Sequence, residues 1–199
     1  MIVVDLGCFP HRHEVSVEPL VEHFRPDVLY GFDPWPELAE GETRVGGTRV
    51  VLERKAAWIE DGEIEFAWVR GLRSWDSTVM RAKNSRGEWS GSGSREVIRV
   101  PCFDFSAWLR SMSEPPVVKM DVEGAEFPIL ERMVREGTDA LVAELLVEWH
   151  DEKMDDFAER KELLLETLRC PVSDWDRGRT SRIGALLGLL PRSQVRGGR

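Results

Sequence analysis

The chain has 199 residues, and its hydrophobic content of 42% is enough for one domain with a substantial core. Its 36 acidic residues outnumber its 27 Lys and Arg residues, and the formal net charge of −9 argues against a nucleic-acid partner, whose phosphates it would repel. Three widely spaced cysteines argue against a disulfide framework and against a cysteine zinc site. Since no apolar run has the length of a membrane span either, we expect a cytoplasmic protein without a membrane partner.

The composition predicts a single domain over residues 1–190. Residues 70–99 are rich in Gly, Ser, Arg and Asn and show almost no helical or strand periodicity, so we predict a long loop there. Such a loop can be a lid over a binding site or a disordered insertion, and the sequence leaves both possibilities open. The basic, glycine-rich residues 191–199 predict a flexible tail.

In chain order, short apolar runs that end near an acidic residue alternate with segments of helical periodicity. The predicted strands cover residues 1–5, 27–33, 48–52 continued by 56–58, 116–121 and 140–148, and the predicted helices cover residues 15–24, 126–135 and 155–168. An alternating segment at 64–68, after a turn at 60–62, predicts a hairpin extension. Strands that alternate with helices favour an α/β fold with a mostly parallel sheet.

Four acidic residues close predicted strands, and the carboxyl ends of parallel strands share one edge of the sheet, where ligands bind in open α/β folds. They are Asp5, Asp33, Asp121 and Glu148. Gly7 lets the backbone approach a ligand, and an acid placed like Asp33 can accept hydrogen bonds from both hydroxyls of a ribose. Any one of these acids could instead cap a helix N-terminus, but four at one edge favour an adenosine-binding site.

The sequence of residues 119–126, Lys-Met-Asp-Val-Glu-Gly-Ala-Glu, closely resembles the K-[IM]-D-[VI]-E-G-x-E signature of FkbM-type methyltransferases. Residues 4–7 resemble the opening D-x-G of that family, and residues 30–36 resemble its F-E-P-N-P segment. Residues 56–62 resemble its A-x-x-D-x-x-G turn. The resemblance extends over about residues 1–150.

This resemblance implies a fold, a cofactor and a reaction. The implied fold is a doubly wound, mostly parallel Rossmann-like sheet of the class I methyltransferase type. The implied cofactor is S-adenosylmethionine, and the implied reaction is transfer of a methyl group to a hydroxyl of a sugar or small metabolite. The expected partner is therefore a small-molecule or glycan acceptor.

The resemblance also assigns cofactor-binding roles to individual residues. Asp5 and Gly7 fall on the methionine and ribose side of the cofactor, and Asp33 falls at the ribose hydroxyls. Ala57 or Trp58 falls at the adenine. These five residues are the expected cofactor site, together with a histidine in the first loop.

The first loop departs from the pattern of the family. Where the family has D-x-G-A-N-x-G, residues 5–11 read Asp-Leu-Gly-Cys-Phe-Pro-His, without the Asn and the second Gly. Phe9 and Pro10 stiffen the turn, whereas His11 can donate a hydrogen bond to the carboxylate of the cofactor. The departure supports an alternative, a catalytically degenerate methyltransferase-fold protein that serves as a binding module or scaffold. A third possibility, an NAD-dependent oxidoreductase, is disfavoured because no GxGxxG follows the first strand.

By the same resemblance, Asp121, Glu123 and Glu126 lie on the substrate side. Methyl transfer to a hydroxyl requires alignment of the acceptor with the sulfonium and removal of the hydroxyl proton. The candidate bases are Asp121, Glu123, His11 and His150, and Asp121 is favoured because its strand-end position faces the methyl group in this fold class. Glu123 and Glu126 could equally favour the positive end of a helix, and His150 could be a surface residue.

The same region offers ligands for a divalent metal ion. Asp121, Glu148 and His150 are the predicted ligands, with Glu123 as a further candidate, because carboxylates and imidazole bind such ions. A bound ion would acidify an acceptor hydroxyl by direct coordination. The spacing of these residues along the sequence does not decide whether a metal is used.

Overall fold

A computed structural model describes residues 1–8, 16–69, 77–79, 95–151 and 154–175, which form ten strands, four α-helices and one 3₁₀ turn. The strands are β1 (Ile2–Leu6), β2 (Val28–Phe32), β3 (Gly41–Val45), β4 (Thr48–Glu53), β5 (Ala56–Trp58), β6 (Gly62–Val69), β7 (Arg95–Asp104), β8 (Val117–Met120), β9 (Glu144–Val147) and β10 (Val172–Asp174). The helices are α1 (Val17–Phe24), α2 (Phe105–Arg110), α3 (Glu126–Glu136) and α4 (Phe157–Thr167), and the 3₁₀ turn is Thr138–Leu141.

Seven strands form one mostly parallel sheet in the order β10-β9-β8-β1-β2-β4-β3. Every neighbouring pair in it is parallel except β3 and β4, which form an antiparallel hairpin. In the central strand β1, Leu6 is in register with Phe32 of β2 and with Met120 of β8, and Met120 is in register with Val147 of β9. The carboxyl ends of these four strands therefore lie side by side, and the residues that follow them meet at one edge.

The central strands are buried on both faces, since successive side chains point to opposite sides of the sheet. On one face, Leu6 and Met120 belong to the larger core with side chains from α2, α3 and α4. On the other face, Val3 and Val117 belong to a smaller core with side chains from α1. Burying each large apolar side chain contributes about 1.5–3 kcal/mol, so both cores hold the strand ends in place. This mixed α/β architecture with a mostly parallel sheet agrees with the predicted fold class.

A second sheet, in the order β5-β7-β6, corrects part of the predicted strand pattern. The segment predicted as the third strand forms two strands, because β4 ends at Glu53 in the large sheet and β5 pairs in parallel with β7. The alternating segment that follows forms β6, which pairs antiparallel with β7. Residues 95–99, predicted as the end of the long loop, belong to β7 instead, where Ile98 packs with Phe66 of β6.

The ends of the predicted helices agree with the structure to within two residues, whereas β3, β7, β10, α2 and the 3₁₀ turn were not predicted. β3 is almost wholly exposed and lacks the apolar alternation of a half-buried strand, and β10 has only three residues. Asp104 is the N-cap of α2, where its side chain accepts a hydrogen bond from the N–H of Ala107 (2.9 Å). The predicted strand at 140–148 is shorter than expected, because its first residues belong to the 3₁₀ turn.

Parts of the predicted domain organisation lie outside the described residues. These parts are residues 176–190 of the predicted domain, residues 70–76 and 80–94 of the predicted loop and the predicted tail at 191–199. The bounds of the domain, the loop and the tail therefore stay predictions. Thr78, within that loop, is described and forms an isolated β-bridge with Ala67 of β6. In the part of the chain that the structure covers, no helix combines the length and the apolar character needed to cross a membrane.

Candidate functional site

The turn after β1 brings two strand ends into contact. Gly7 has a φ of +79°, in the left-handed region that favours glycine, and its N–H donates to the carbonyl oxygen of Phe32 (2.9 Å). A Cβ at this position would overlap the carbonyl oxygen of Asp121. Gly7 therefore allows the segments after β1 and β8 to touch each other, and its predicted contact with a ligand stays a prediction.

A buried ion pair connects the ends of β1 and β8. The ammonium of Lys119 lies 3.0 Å from Oδ1 of Asp5 and 3.5 Å from Oδ2 of Asp121, and it donates to the carbonyl oxygen of Gly7 (2.7 Å). Ser16, just before α1, donates to the other carboxylate oxygen of Asp5 (2.5 Å). Burial opposes the charge on Lys119, but the two carboxylates outweigh it and raise the pKa of Lys119 above its usual value. Asp5 is thus held in place by protein partners on both sides.

Asp33 follows β2 directly and is buried, with 6% of its surface exposed. Its carboxylate accepts a hydrogen bond from the N–H of Trp35 (2.8 Å), and its own N–H donates to the carbonyl oxygen of Glu53 (3.2 Å). Burial raises the pKa of Asp33 to about 7, although the N–H of Trp35 and the charge of Lys119 favour the ionised form. Near neutral pH this carboxyl group therefore changes its charge in response to small changes in its surroundings.

The predicted adenine residues lie on β5, in the smaller sheet. Ala57 is buried and in register with Phe103 of β7, and both belong to the same core cluster as Phe32. Trp58 is partly buried against that cluster. Lys55, two residues before Ala57, places its ammonium 5.2 Å and 4.6 Å from the ring centroids of Phe32 and Phe103. Phe32, Ala57 and Phe103 therefore form an apolar wall. This wall lies beside the end of β2, which Asp33 follows directly.

The turn after β8 is held in an unusual conformation by one buried carboxylate. Glu126 is completely buried at the start of α3 and accepts hydrogen bonds from the N–H groups of Val122 (2.8 Å) and Gly124 (2.7 Å). Glu123, between them, has a φ of +57°, which costs a residue with a side chain about 1–2 kcal/mol. The hydroxyl of Thr78 donates to the carbonyl oxygen of Glu123 (2.8 Å). These bonds fix the backbone from which the Glu123 carboxylate projects.

His150 reaches this turn from the segment after β9. Its Nδ1 forms a 2.9 Å hydrogen bond with Oε1 of Glu126, and its Nε2 lies 3.5 Å from Oε1 of Glu123 and 3.9 Å from Oδ1 of Asp121. Burial alone would lower the pKa of His150, but the hydrogen bond with Glu126 and the charges of Asp121 and Glu148 outweigh it and raise this pKa to about 9. The imidazole is therefore positively charged at neutral pH.

The structure thus brings the three predicted catalytic residues together. One ligand atom from each of Asp121, Glu123 and His150 lies within 4.8 Å of the others. Glu148, predicted as a metal ligand, donates its backbone N–H to the carbonyl oxygen of Met120 (2.9 Å), but it does not belong to this group of three. Its role as a ligand stays a prediction.

His11, predicted to bind the cofactor carboxylate, lies outside the described residues. The structure therefore leaves this part of the first loop, and the role assigned to it, untested.

Three residues that shape the site were absent from the predicted set. Lys119 had a signal in the sequence, because a lysine inside an apolar strand that is buried on both faces must be paired with an acid. Ser16 had none, since its partner Asp5 is 11 residues away along the chain. Ser77 and Thr78 also resemble the family, but that resemblance does not reveal that Thr78 contacts Glu123, 45 residues away.

Comparison with protein families agrees with this arrangement. The sequence model of a family described as Methyltransferase FkbM domain matches residues 14–172, which is most of the chain. The chain belongs to the FkbM methyltransferase family. Neither the curated proteins nor the solved structures gave a match.

The matched range of the FkbM domain contains most of the predicted site. It includes Asp33, Ala57, Trp58, Asp121, Glu123, Glu148 and His150, and it begins after Asp5, Gly7 and His11. Membership of the FkbM family supports a methyltransferase activity for the chain. The roles assigned to the first loop rest on the motif resemblance alone.

Proposed function

We propose that the chain is an S-adenosylmethionine-dependent O-methyltransferase that acts on a hydroxyl of a sugar or small metabolite. The observation that carries this proposal is the meeting of two sets of groups at one sheet edge of an FkbM domain. One set contains the buried Asp33 after β2, and the other contains Asp121, Glu123 and His150 after β8 and β9. The first suits the ribose of a cofactor, and the second suits an acceptor hydroxyl.

We also infer that the large sheet is a doubly wound, Rossmann-like sheet of the class I methyltransferase type. The order β4-β2-β1-β8-β9 reverses direction at β1, and such a reversal creates a crevice outside the carboxyl ends of the strands. α1 lies on one face, and α2, α3 and α4 lie on the other. The proposed cofactor site is in that crevice.

In the proposed complex, the ionised carboxylate of Asp33 accepts hydrogen bonds from the two ribose hydroxyls. Asp5 and Gly7 border the methionine and ribose part, and His11 donates to the cofactor carboxylate. The adenine lies towards Ala57 or Trp58, beside the apolar wall described above. The chemistry that the cofactor supplies is an electrophilic methyl group on a positively charged sulfur.

On the acceptor side, the chain aligns a hydroxyl with that methyl group and removes the hydroxyl proton. A bound cofactor would supply its methyl group to the acceptor oxygen and would be left as S-adenosylhomocysteine, so the chain has to accept only the hydroxyl proton. The proton moves to a carboxylate, for which we propose Asp121. His150, positively charged, lies 3.9 Å from that carboxylate and 3.5 Å from the carboxylate of Glu123, and it attracts both.

Binding of radiolabelled S-adenosylmethionine in equilibrium dialysis, with competitors, tests the cofactor assignment. We expect S-adenosylhomocysteine to displace the label and NAD⁺ to leave it bound, because the site recognises adenosine joined to a methionine chain. Equal displacement by NAD⁺ would contradict the assignment and favour the oxidoreductase hypothesis.

Transfer of the methyl label to sugars and hydroxylated metabolites then tests catalysis. We expect label in an acceptor, and we expect Asp121→Asn to lower kcat by about 10²–10⁴-fold, the usual contribution of a general base. Asp174→Asn, at the exposed end of β10, is the matched control and should retain activity. Cofactor binding without transfer to any acceptor would favour the alternative function, a binding or scaffold protein with a degenerate first loop.

A further inference from the structure

Three different metal-ligating side chains converge at the edge of the sheet, from two segments of the chain. Nε2 of His150 faces Oε1 of Glu123 at 3.5 Å and Oδ1 of Asp121 at 3.9 Å. His150 is only 7% exposed, so this nitrogen is directed into the protein and towards the two carboxylates. Each of the three residues presents one ligand atom within 4.8 Å of the others.

The distances fit a common ion. Ligand atoms bound to one divalent metal at about 2.0–2.3 Å are separated from each other by about 3–4.5 Å in tetrahedral or octahedral arrangements. The 3.5 Å and 3.9 Å separations lie within that range. Small side-chain rotations of Asp121 or Glu123 are therefore enough to place all three donors on one ion.

The other ring nitrogen of His150 has the partner that a metal-ligating histidine needs. Nδ1 is bound at 2.9 Å to Glu126, a completely buried carboxylate that two backbone N–H groups also hold. This carboxylate holds the proton on Nδ1, and a bound ion would take the place of the proton on Nε2, which is the usual carboxylate–histidine–metal arrangement. Glu126 therefore orients His150 and is not itself a ligand.

We propose that Asp121, Glu123 and His150 bind one divalent transition-metal ion, with Glu126 orienting the imidazole. Two carboxylates with one imidazole suit Mn²⁺ or Zn²⁺ better than Mg²⁺, which prefers oxygen ligands alone. Three protein ligands leave coordination positions open for an acceptor oxygen, as in catalytic metal sites. This role in methyl transfer rests on the proposed function, whereas the binding of the ion does not.

The proposed ligand set differs from the one that the sequence suggested. Glu123 is a ligand because its left-handed backbone, held by Thr78 and Glu126, directs its carboxylate to Nε2 of His150. Glu148 contributes only its negative charge nearby, which favours a cation without coordinating it.

Titration of the metal-free full chain with Mn²⁺ tests the proposal. The chain is first dialysed against a chelator, and free Mn²⁺ is then measured by electron paramagnetic resonance without cofactor or acceptor. We expect one ion per chain, and binding at least about tenfold weaker in Glu123→Gln and in His150→Gln, since even outer-shell changes cost 10–100-fold. Zn²⁺ should compete for the same site.

Two control variants separate coordination from charge. Asp174→Asn removes one negative charge from the same sheet edge and should leave the affinity unchanged. Glu148→Gln should weaken binding by at most about fivefold, the effect of one nearby charge. Circular dichroism and the melting temperature of each variant show whether it is folded. Glu123→Asp, which keeps the charge but shortens the side chain, is measured in place of any variant that is not folded. We expect the same tenfold loss of Mn²⁺ affinity from it.

The outcomes are distinct. Stoichiometric binding that is lost in the ligand variants and kept in Asp174→Asn supports the site. Absence of saturable binding in the wild-type chain, equal binding in Glu123→Gln, or a loss in Glu148→Gln as large as in Glu123→Gln overturns it. S-adenosylhomocysteine binding, measured separately on the metal-free chain, distinguishes failure of this site from failure of the proposed function.

Discussion

At the scale of single residues, Asp5 near the end of β1 and Asp33 after β2 have different electrostatic surroundings. Asp5 is paired with the buried ammonium of Lys119, whereas burial raises the pKa of Asp33 to about 7. The carboxylate of Asp5 is held in place by Lys119 and Ser16. Asp33 is the acid that a ligand can stabilise in its ionised form, and this difference leads to two predictions.

The first prediction concerns the pH dependence of cofactor binding. Below pH 7 the folded, ligand-free chain holds a proton on Asp33, and the proposed binding to ribose hydroxyls must expel it. The affinity for S-adenosylhomocysteine should therefore fall by up to about tenfold for each pH unit below 7 and level off above it. Calorimetry between pH 5.5 and 8 measures this slope. The Asp33→Asn variant should bind S-adenosylhomocysteine more weakly, and its affinity should not depend on pH in this range. A pH dependence equal to that of the wild-type chain would refute the assignment of Asp33 to the ribose.

The second prediction concerns the buried ion pair. Lys119→Met should lower the free energy of unfolding by about 3–5 kcal/mol, because it leaves the carboxylate of Asp5 buried without its counter-charge. Adding Asp5→Asn to it should restore part of that loss. Lys55→Met, which breaks the partly exposed pair with Glu53 and the contacts of the ammonium with two aromatic rings, is the control and should cost only about 1–2 kcal/mol. Chemical denaturation measures all four chains, and equal losses in the two lysine variants would argue against the pair.

At the scale of elements, two turns determine the site. The turn after β1 touches the turn after β8 through Gly7, and the latter is held by Glu126. In the sequence, Gly7 indicated the turn after β1. The acidic motif that resembles the FkbM signature indicated the turn after β8. The bond between Glu126 and His150 spans 24 residues and joins two turns through the register of β8 and β9. Local sequence patterns carry no information about such a pairing.

The third prediction tests the contact between these turns. Gly7→Ala should destabilise the fold by about 3 kcal/mol or more, because a Cβ there meets the carbonyl oxygen of Asp121 and the backbone has a positive φ. Gly47→Ala is a matched control, since Gly47 has a φ of +93° and a Cβ added there would meet no atom within 4 Å. It should cost only about 1–2 kcal/mol. Thermal or chemical unfolding of both variants measures the difference, and equal costs would show that the contact is unimportant.

The element boundaries show what limits prediction from the sequence. The strands β1, β2 and β8 were predicted because each is a short apolar run, which is the pattern of a strand that is buried on both faces. The segment at 48–58 was predicted as one strand, because its apolar residues do not reveal that the chain moves from one sheet to another after Glu53. β3 and β10 depend on pairing with a neighbouring strand and have little apolar pattern of their own.

At the scale of the whole molecule, the site is a consequence of topology. Parallel pairing of β2, β1, β8 and β9 places their carboxyl ends at one edge, so acids far apart in the sequence become neighbours. That convergence was predictable from strands that end in acids. Which of the acids would be ion-paired, and which would face His150, depended on the packing of the turns and was not predictable.

The fourth prediction follows from the position of the proposed cofactor site between β1, β2 and β8. A ligand that binds only the folded chain should stabilise all of it, by about 2.7 kcal/mol at a concentration one hundred times its Kd. For a chain of this length the melting temperature should rise by about 5–10 °C with S-adenosylhomocysteine. Adenosine at the same concentration should give a smaller rise. Differential scanning fluorimetry measures both, and equal shifts would contradict recognition of the methionine part.

The edge of the sheet after β2 is proposed to bind the cofactor through Asp33, and calorimetric titration with S-adenosylhomocysteine is the decisive experiment. Asp27→Ala is the control, because Asp27 is an exposed acid at the opposite end of β2. We expect micromolar binding, about −8 kcal/mol, in the wild-type chain and in Asp27→Ala, and its loss in Asp33→Ala. No binding to the wild-type chain, or undiminished binding to Asp33→Ala with a native melting temperature, would show that Asp33 does not hold the cofactor.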